Sequence, residues 1–236
     1  MTPVAGWPEQ LLAFTTTRRT GSFGLTDDAP VGAVIGRWHA LADALRARGV
    51  TRLACAEQVH GAQLAGHGPG WQGWLRLRGV DGHVSVVPGT ALAVTVADCT
   101  PVLIAHPRGA IAAVHAGWRG TAAGILPRAF DALDALGFPA AECLVHLGPS
   151  ICGPCYEVGP EVFRAMGQTA PPGGHGCLEV RAVLAEQARA AGVGQVSGAP
   201  GTAASACTRC EPDRYYSHRG GDTGRQLGVI ALLPPP

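Results

Sequence analysis

The chain has 236 residues, of which 47% are hydrophobic and 15% charged, and its formal net charge is +1. This composition indicates a compact globular protein and gives no electrostatic reason to expect nucleic acid or a membrane surface as a partner. All 18 basic residues are arginines, which excludes Schiff-base chemistry, pyridoxal phosphate attachment and a P-loop lysine.

The cellular setting is predicted from two further features of the sequence. No apolar run approaches the roughly 20 residues of a membrane span, and the first 21 residues lack the charged and apolar regions of a signal peptide. We therefore expect a cytoplasmic protein. Its eight cysteines are then expected to be reduced thiols or metal ligands rather than a disulfide framework.

The predicted elements alternate irregularly between helices and strands. Apolar spacing predicts a helix over residues 37–49 and a strand over 51–59, and the Gly- and Trp-rich residues 66–79 are predicted to be a loop. The later predictions are a strand at 90–97, two strands joined by a turn at 107–109, a helix at 121–136, a strand at 143–148, helices near 160–167 and 179–192, and a strand at 227–233. This order indicates an α/β (α+β) fold with helices outside a mixed sheet, in one domain over residues 1–236.

The turn at residues 107–109 allows a prediction of strand register. If it is a three-residue hairpin loop, His115 lies opposite Pro101, two residues from Cys99 and on the same face. Such diagonal neighbours are about 7–8 Å apart at Cα, so the thiolate and the imidazole could share one metal ion. A slip of one residue would place them on opposite faces.

His60 is the third candidate metal ligand, in the motif Gln-Val-His-Gly at the end of the strand over 51–59. Together, His60, Cys99 and His115 would supply three N or S ligands and leave one position for water, which is the pattern of catalytic zinc. The alternative interpretation is a buried cysteine and hydrogen-bonded core histidines.

Two charged residues stand beside these candidates. Asp98 lies within an apolar segment, where a buried carboxylate needs a partner, and we expect it to accept a proton or to orient a ligand. Arg119 lies between Gly117 and Gly120, in a loop that leads into a predicted helix. That arrangement predicts an anion site for phosphate or carboxylate, with an exposed arginine in a tight turn as the alternative.

Two Cys-x-x-Cys pairs, Cys152 with Cys155 and Cys207 with Cys210, also require an interpretation. Gly159 breaks the long helix that thioredoxin chemistry would need after the first pair. The segment between the pairs is far longer than the roughly 15–20 residues of a compact zinc ribbon. We therefore expect these to be loop cysteines packed as small hydrophobic residues, and we rank a redox site and a zinc ribbon below this interpretation.

Taken together, several motifs resemble one protein family. The segments FTTTR, QVHG, TVADCTPVLI, AAVHAGWRGTAAGI, GPSICGPCYEVG and CTRCEPDRYYSHRGGDTGRQLGVI occur in the order found in the laccase-domain family, also called multicopper polyphenol oxidases. The resemblance implies an α/β sandwich of mixed sheets similar to the catalytic domain of cytotoxic necrotizing factor toxins. It also implies purine nucleoside phosphorylase activity on adenosine, inosine and methylthioadenosine, with adenosine deaminase activity beside it.

The resemblance further implies that His60, Cys99 and His115 are both catalytic residues and zinc ligands, with copper as another possible metal. We predict Arg119, Asp98 and Gln58 as substrate- or phosphate-binding residues. The expected partners are purine nucleosides and phosphate, and the chain is expected to be a monomer or a homodimer.

Three other functions stay open at the level of sequence. The first is a metal-free Cys-His hydrolase or amidase acting on a muramyl-peptide precursor. The second is a copper-dependent polyphenol oxidase, which is disfavoured because none of the nine histidines forms a His-x-His pair. The third is a non-enzymatic interaction module stabilised by zinc on both Cys-x-x-Cys pairs.

Overall fold

The computed structural model of the chain describes residues 2–26, 28–203 and 205–235. Its helices, in chain order, are α1 (Val31–Arg46), α2 (Trp118–Ala122), α3 (Ile125–Asp134), α4 (Pro160–Ala165) and α5 (Val180–Ala190). Its strands are β1 (Thr2–Pro3), β2 (Leu11–Thr15), β3 (Arg52–Glu57), β4 (Leu64–His67), β5 (Gly73–Arg78), β6 (Gly82–Ser85), β7 (Thr90–Val96), β8 (Thr100–His106), β9 (Ala110–Ala116), β10 (Leu144–Leu147), β11 (Glu157–Val158), β12 (Gly176–Cys177), β13 (Gln195–Ser197) and β14 (Gln226–Leu232).

Two large mixed sheets pack face to face. Sheet A has the strand order β1-β2-β14-β7-β3-β5, and sheet B has the order β13-β10-β8-β9-β6-β4. Leu92 and Ile230 of sheet A meet Leu103 and Ile111 of sheet B in an apolar layer from which water is excluded. Burial of this layer contributes hydrophobic stabilisation to both sheets at once.

Helices cover the outer faces of the sandwich. On sheet A, α1 buries Val34, Trp38 and Leu45, which recur at helical spacing along one face of the helix. On sheet B, α3 and α5 supply a second buried layer that includes Phe130 and Leu184. The predicted α/β sandwich of mixed sheets flanked by helices is confirmed, whereas the similarity to the toxin domain stays a prediction. Within the described ranges, every helix is too short or too polar to cross a lipid bilayer.

The predicted register of the β8–β9 hairpin is confirmed, because Pro101 pairs with His115 and His106 with Ala110. The predicted loop over 66–79 is wrong, since β4 ends within it and β5 forms a parallel pair with β3. The predicted helix over 121–136 is divided into α2 and α3 by Gly124, which has a left-handed backbone (φ 75°). The helix predicted over 37–49 begins earlier, at Val31, and ends at Arg46.

Two of the passages of the chain from sheet A to sheet B meet at the same edge of the sandwich. One passage joins β3 to β4 through residues 58–63, and the other joins β7 to β8 through residues 97–99. Each contains a non-glycine residue with positive φ, His60 at 60° and Asp98 at 80°. Such backbone is uncommon outside glycine and clusters at functional sites. The fold therefore brings two strained corners together beside the end of β9.

Candidate metal centre

Three potential ligands converge at this edge of the sandwich. The ligand atoms of His60, Cys99 and His115 all lie within 4.8 Å of one another. The two imidazole rings are 4.8 Å apart at their centroids and stand nearly perpendicular, at 76°. His115 is buried in β9, Cys99 is half-buried at the β7–β8 corner, and His60 is exposed at the β3–β4 corner. The structure thus brings together the three residues that the sequence predicts.

Asp81 holds two of these ligands in place and was not among the predicted site residues. Its fully buried carboxylate accepts hydrogen bonds from the backbone N–H groups of Val59, His60 and Gly61, at 3.2, 2.9 and 2.8 Å. It also lies 2.8 Å from Nδ1 of His115. A carboxylate on Nδ1 directs Nε2 of the same ring toward a metal, the usual arrangement behind a histidine ligand.

Two glycines permit the close packing around the three ligands. A Cβ atom on Gly117 would lie 2.8 Å from the Cys99 sulfur and 3.4 Å from Cδ2 of His60. A Cβ atom on Gly120 would lie 2.8 Å from the carbonyl oxygen of Gly61. The absence of side chains at Gly117 and Gly120 therefore allows the backbone of the Ala-Gly-Trp-Arg-Gly segment to lie close to the centre.

The electrostatics of the centre favour a thiolate. Burial raises the pKa of Cys99, but the charge and hydrogen bonds of His115 and His60 outweigh it and lower the pKa to about 6. Burial lowers the pKa of His115, but the Cys99 thiolate and the Asp81 carboxylate raise it to about 9. Without a metal, the pair is stable as thiolate and imidazolium, and a divalent cation would replace the imidazolium proton.

The donor set fits a metal ion by its chemistry. Two imidazoles and one thiolate are borderline-soft ligands that suit zinc, and three protein ligands leave room for a fourth. The same His₂Cys set is also found in copper sites. The lowered pKa of Cys99 supplies the thiolate that metal binding needs, and the Asp81–His115 contact fixes the orientation of the His115 ring.

A cleft of about 620 Å³ opens above the three ligands, and this is within the usual size range for small-molecule sites. Its lining residues include Arg119, Arg219, Arg225 and Tyr156. The Arg119 guanidinium lies 4.4 Å from the Trp118 ring, and that of Arg219 lies 4.9 Å from the Tyr156 ring. The cleft therefore combines cationic groups with planar aromatic surfaces.

The other predicted site residues line the cleft but are engaged by the protein. The Gln58 amide donates to the Thr95 carbonyl at 2.8 Å and accepts from the Thr95 N–H at 2.8 Å, so it joins the ends of β3 and β7. The Asp98 carboxylate accepts from the Thr208 hydroxyl at 2.6 Å and from the Arg219 N–H at 2.7 Å. Arg119 is exposed at the cleft, but α2 has only 5 residues and contributes little helix dipole.

The Cys-x-x-Cys pairs depart from the sequence expectation. The sequence favours loop cysteines packed as small hydrophobic residues, but the four ligand atoms lie within 4.8 Å of one another. None of the four lines the cleft. The two pairs are brought together because Ser150 and Cys207 form a parallel β-bridge, which the spacing of the cysteines does not reveal.

Comparison with known proteins gives consistent matches. Residues 21–233 match the family described as "Multi-copper polyphenol oxidoreductase laccase". A Streptomyces coelicolor protein named purine nucleoside phosphorylase is 37% identical over 189 residues, 77% of this chain and 75% of that protein. A Pseudomonas aeruginosa protein of the same name is 32% identical over 98% of both chains. The crystal structure of YfiH from Bacillus licheniformis superposes with a TM-score of 0.85 at 28% identity, covering 94% of this chain and 93% of that one.

Proposed function

The chain belongs to the multi-copper polyphenol oxidoreductase laccase family, and from this premise we propose that it is a zinc-dependent purine nucleoside phosphorylase. Relatives named purine nucleoside phosphorylase support a nucleoside phosphorylase at the family level. The observation that carries the proposal for this chain is the meeting of His60, Cys99 and His115 at the base of a cleft lined by arginines.

His60, Cys99 and His115 would hold the zinc ion, and Asp81 would orient His115. A zinc ion bound there would supply Lewis-acid polarisation and the activation of a water molecule. The chain itself supplies the ligands in a prepared state, because the corners at His60 and Asp98 are fixed by backbone hydrogen bonds before any ion binds. This preorganisation lowers the cost of assembling the centre.

In the proposed phosphorolysis, an oxygen of phosphate attacks C1′ of the ribose. The bond from C1′ to the purine nitrogen breaks, its electron pair stays on the base, and the base takes the proton that the phosphate loses. Arg119 and Arg219 would bind the phosphate oxygens, because guanidinium groups form paired hydrogen bonds to such anions. The Tyr156 ring offers a face on which the purine could stack. The products are the free base and ribose 1-phosphate.

Adenosine deamination is part of the same proposal. Attack of water at C6 of adenine releases ammonia and needs an activated water close to the base, as in zinc deaminases. The vacant position implied by three protein ligands is where such a water would bind. We propose adenosine, inosine and methylthioadenosine as the substrates, with purine nucleosides and phosphate as the ligands of the cleft.

The test measures hypoxanthine and ribose 1-phosphate from inosine and phosphate. Zinc-loaded wild-type protein is expected to form both products in equal amounts, and Cys99→Ala is expected to form neither. Cys177→Ser is the matched control, because Cys177 is an exposed thiol in β12 outside the centre. Zinc-loaded wild-type protein that consumes no purine nucleoside in the presence of phosphate would refute the proposal.

A metal-free Cys-His hydrolase is the second candidate, and one observation favours it. Cys99, His115 and Asp81 form a thiolate, an imidazole and a carboxylate in series, as in cysteine hydrolases. Such an enzyme would stay active after chelation, whereas the proposed phosphorylase would lose activity and regain it with zinc. Amide hydrolysis of a muramyl peptide by the chelated protein would favour the hydrolase.

The alternative of a copper oxidase can be tested by loading the same three ligands with copper. A copper ion on two histidines and one cysteine gives intense visible absorption from the thiolate. We expect copper-loaded protein to show no oxidation of polyphenols, because the described residues hold one such His₂Cys cluster and no further group of histidines that could form a multicopper centre. Sustained polyphenol oxidation would overturn this expectation.

A further inference from the structure

The second cysteine cluster lies outside the proposed active site. Cys155 and Cys210 have their sulfur atoms 3.5 Å apart, and those of Cys152 and Cys210 are 4.0 Å apart. A tetrahedron with zinc–sulfur bonds of about 2.3 Å has sulfur–sulfur edges of about 3.8 Å. The observed separations match such edges and are far longer than a disulfide bond of about 2.0 Å. The thiols, with Cys207 as the fourth, are free.

The backbone around Cys207 is arranged to stabilise a thiolate. Its sulfur accepts hydrogen bonds from the backbone N–H of Cys152 at 3.3 Å and of Cys210 at 3.4 Å. Burial opposes ionisation, but these donors leave the pKa of Cys207 below its ordinary value. N–H groups directed at a ligand sulfur are the second layer of contacts that metal–thiolate sites require.

Cationic side chains lie beside the cluster, where a metal with four thiolates would carry net negative charge. The Arg209 guanidinium donates to the Cys155 carbonyl at 3.0 Å. The buried Arg181 guanidinium donates to the Ala206 carbonyl at 3.0 Å, but its charge is paired with Glu179 at 3.4 Å, so Arg209 is the cation that offsets the charge of the cluster. A redox role fits less well, because Cys155 ends a short 3₁₀ turn rather than beginning a long helix.

We propose that these four cysteines bind a structural zinc ion, distinct from the catalytic metal. Four sulfur ligands close the coordination sphere, which is typical of structural rather than catalytic zinc. The ligands come from two loops that are distant in sequence, so one ion would join them, as a disulfide does. The site consists of Cys152, Cys155, Cys207 and Cys210.

The two loops that carry the four cysteines contact the β7–β8 corner, where Cys99 lies. Ser150 and Thr208, next to the ligands, are joined by a backbone hydrogen bond of 3.2 Å. The Asp98 carboxylate accepts a hydrogen bond from the Thr208 hydroxyl at 2.6 Å, and the Asp98 backbone carbonyl accepts one from the Ile151 N–H at 3.0 Å. The ion would therefore fix both loops against Asp98, and through it the position of Cys99.

Native mass spectrometry of the full chain, purified under reducing conditions and supplied with zinc, tests the proposal. Wild type is expected to hold two zinc ions per chain, and Cys207→Ser/Cys210→Ser is expected to hold one. Cys177→Ser should keep both, and Cys210→His should also keep both because histidine is an alternative zinc ligand. The count of two rests on the proposed catalytic zinc, so the cluster is judged by the difference between the proteins: a zinc content that Cys207→Ser/Cys210→Ser leaves unchanged from wild type, or a mass lowered by the hydrogens lost in forming two disulfides, would overturn the proposal.

Two further measurements keep the result independent of folding and of the proposed enzymatic activity. Cys99→Ala should retain one zinc ion, and with cobalt in its place should show the absorption of a tetrahedral all-thiolate site. Cys99→Ala treated with a thiol-reactive mercurial should release this ion and show a lower unfolding temperature. Loss of both ions from Cys99→Ala, or iron as the bound metal in the cluster, would contradict the assignment.

Discussion

The substitution Asp81→Asn is expected to weaken metal binding and stability together. Asp81 accepts from Val59, His60 and Gly61 in one corner and contacts Nδ1 of His115. In asparagine, one carboxylate oxygen is replaced by an amide NH₂ group. This NH₂ group is a donor, so it cannot accept from the N–H groups that face it. At least two of the four contacts are therefore lost in a fully buried site.

The magnitude follows from the cost of buried unsatisfied groups. Each unpaired buried donor costs about 1–3 kcal/mol, so two of them predict a loss of roughly 2–6 kcal/mol in the free energy of unfolding. Loss of the carboxylate behind a histidine ligand typically lowers metal affinity about 10–100-fold. Denaturant unfolding measures the first effect, and zinc competition against a chromophoric chelator measures the second.

The pH dependence provides an independent check on the same variant. Burial raises the pKa of Asp81, but its hydrogen bonds to His115 and to the backbone outweigh burial and leave the pKa below 3.8. The stabilisation is therefore fully present above about pH 4 and is lost as the pH falls through the folded-state pKa. The stability difference between wild type and variant should shrink in acid.

The matched control is Asp43→Asn, because Asp43 is an exposed carboxylate of α1 paired with Arg46. It should change neither zinc affinity nor stability by more than a few tenths of a kcal/mol. If Asp81→Asn binds zinc as tightly as Asp43→Asn does, the assigned role of Asp81 in orienting His115 is refuted.

Three other predictions concern the centre and the cleft. Gly117→Ala should lose zinc because its Cβ would lie 2.8 Å from the Cys99 sulfur, whereas Gly66→Ala, with open space around it, should keep zinc; equal zinc content would contradict this account. Arg119→Ala should raise KM for phosphate about tenfold or more with a smaller effect on kcat, since a charged hydrogen bond contributes about 1.5–3 kcal/mol. The control is Arg48→Ala, because Arg48 is exposed and does not line the cleft. If Arg119→Ala and Arg48→Ala give the same phosphate saturation curve, Arg119 does not bind phosphate. In metal-free protein, alkylation of Cys99 by iodoacetamide, followed by peptide mass spectrometry, should increase as the pH rises through about 6; an increase only near 9.0 would contradict the thiolate–imidazolium pair.

Local patterns were sufficient to predict the centre of the fold. The turn at 107–109 fixed the pairing of Pro101 with His115, because a short loop and two apolar strands allow one register. This register placed Cys99 near His115, since Cys99 lies two residues from Pro101, whereas His60 was added from its motif at a strand end and from the family resemblance. The break between α2 and α3 was missed because Gly124 is tolerated within helical patterns at modest cost.

Contacts between distant segments could not be derived from spacing. Asp81 precedes a short strand, and its partners lie 20–34 positions away in two other segments, so nothing local marks it as a positioning residue. Gln58 and Asp98 were predicted to bind ligands, but their hydrogen bonds to Thr95 and Thr208 are set by how the sheets meet. A site joining the two Cys-x-x-Cys pairs was ranked below loop cysteines packed as small hydrophobic residues for the same reason.

Anomalous diffraction at the zinc absorption edge, from crystals of zinc-loaded protein that convert inosine and phosphate, tests the central claim most directly. The account predicts a zinc peak about 2.0–2.3 Å from the ligand atoms of His60, Cys99 and His115. Active crystals without a peak between these three side chains would contradict it.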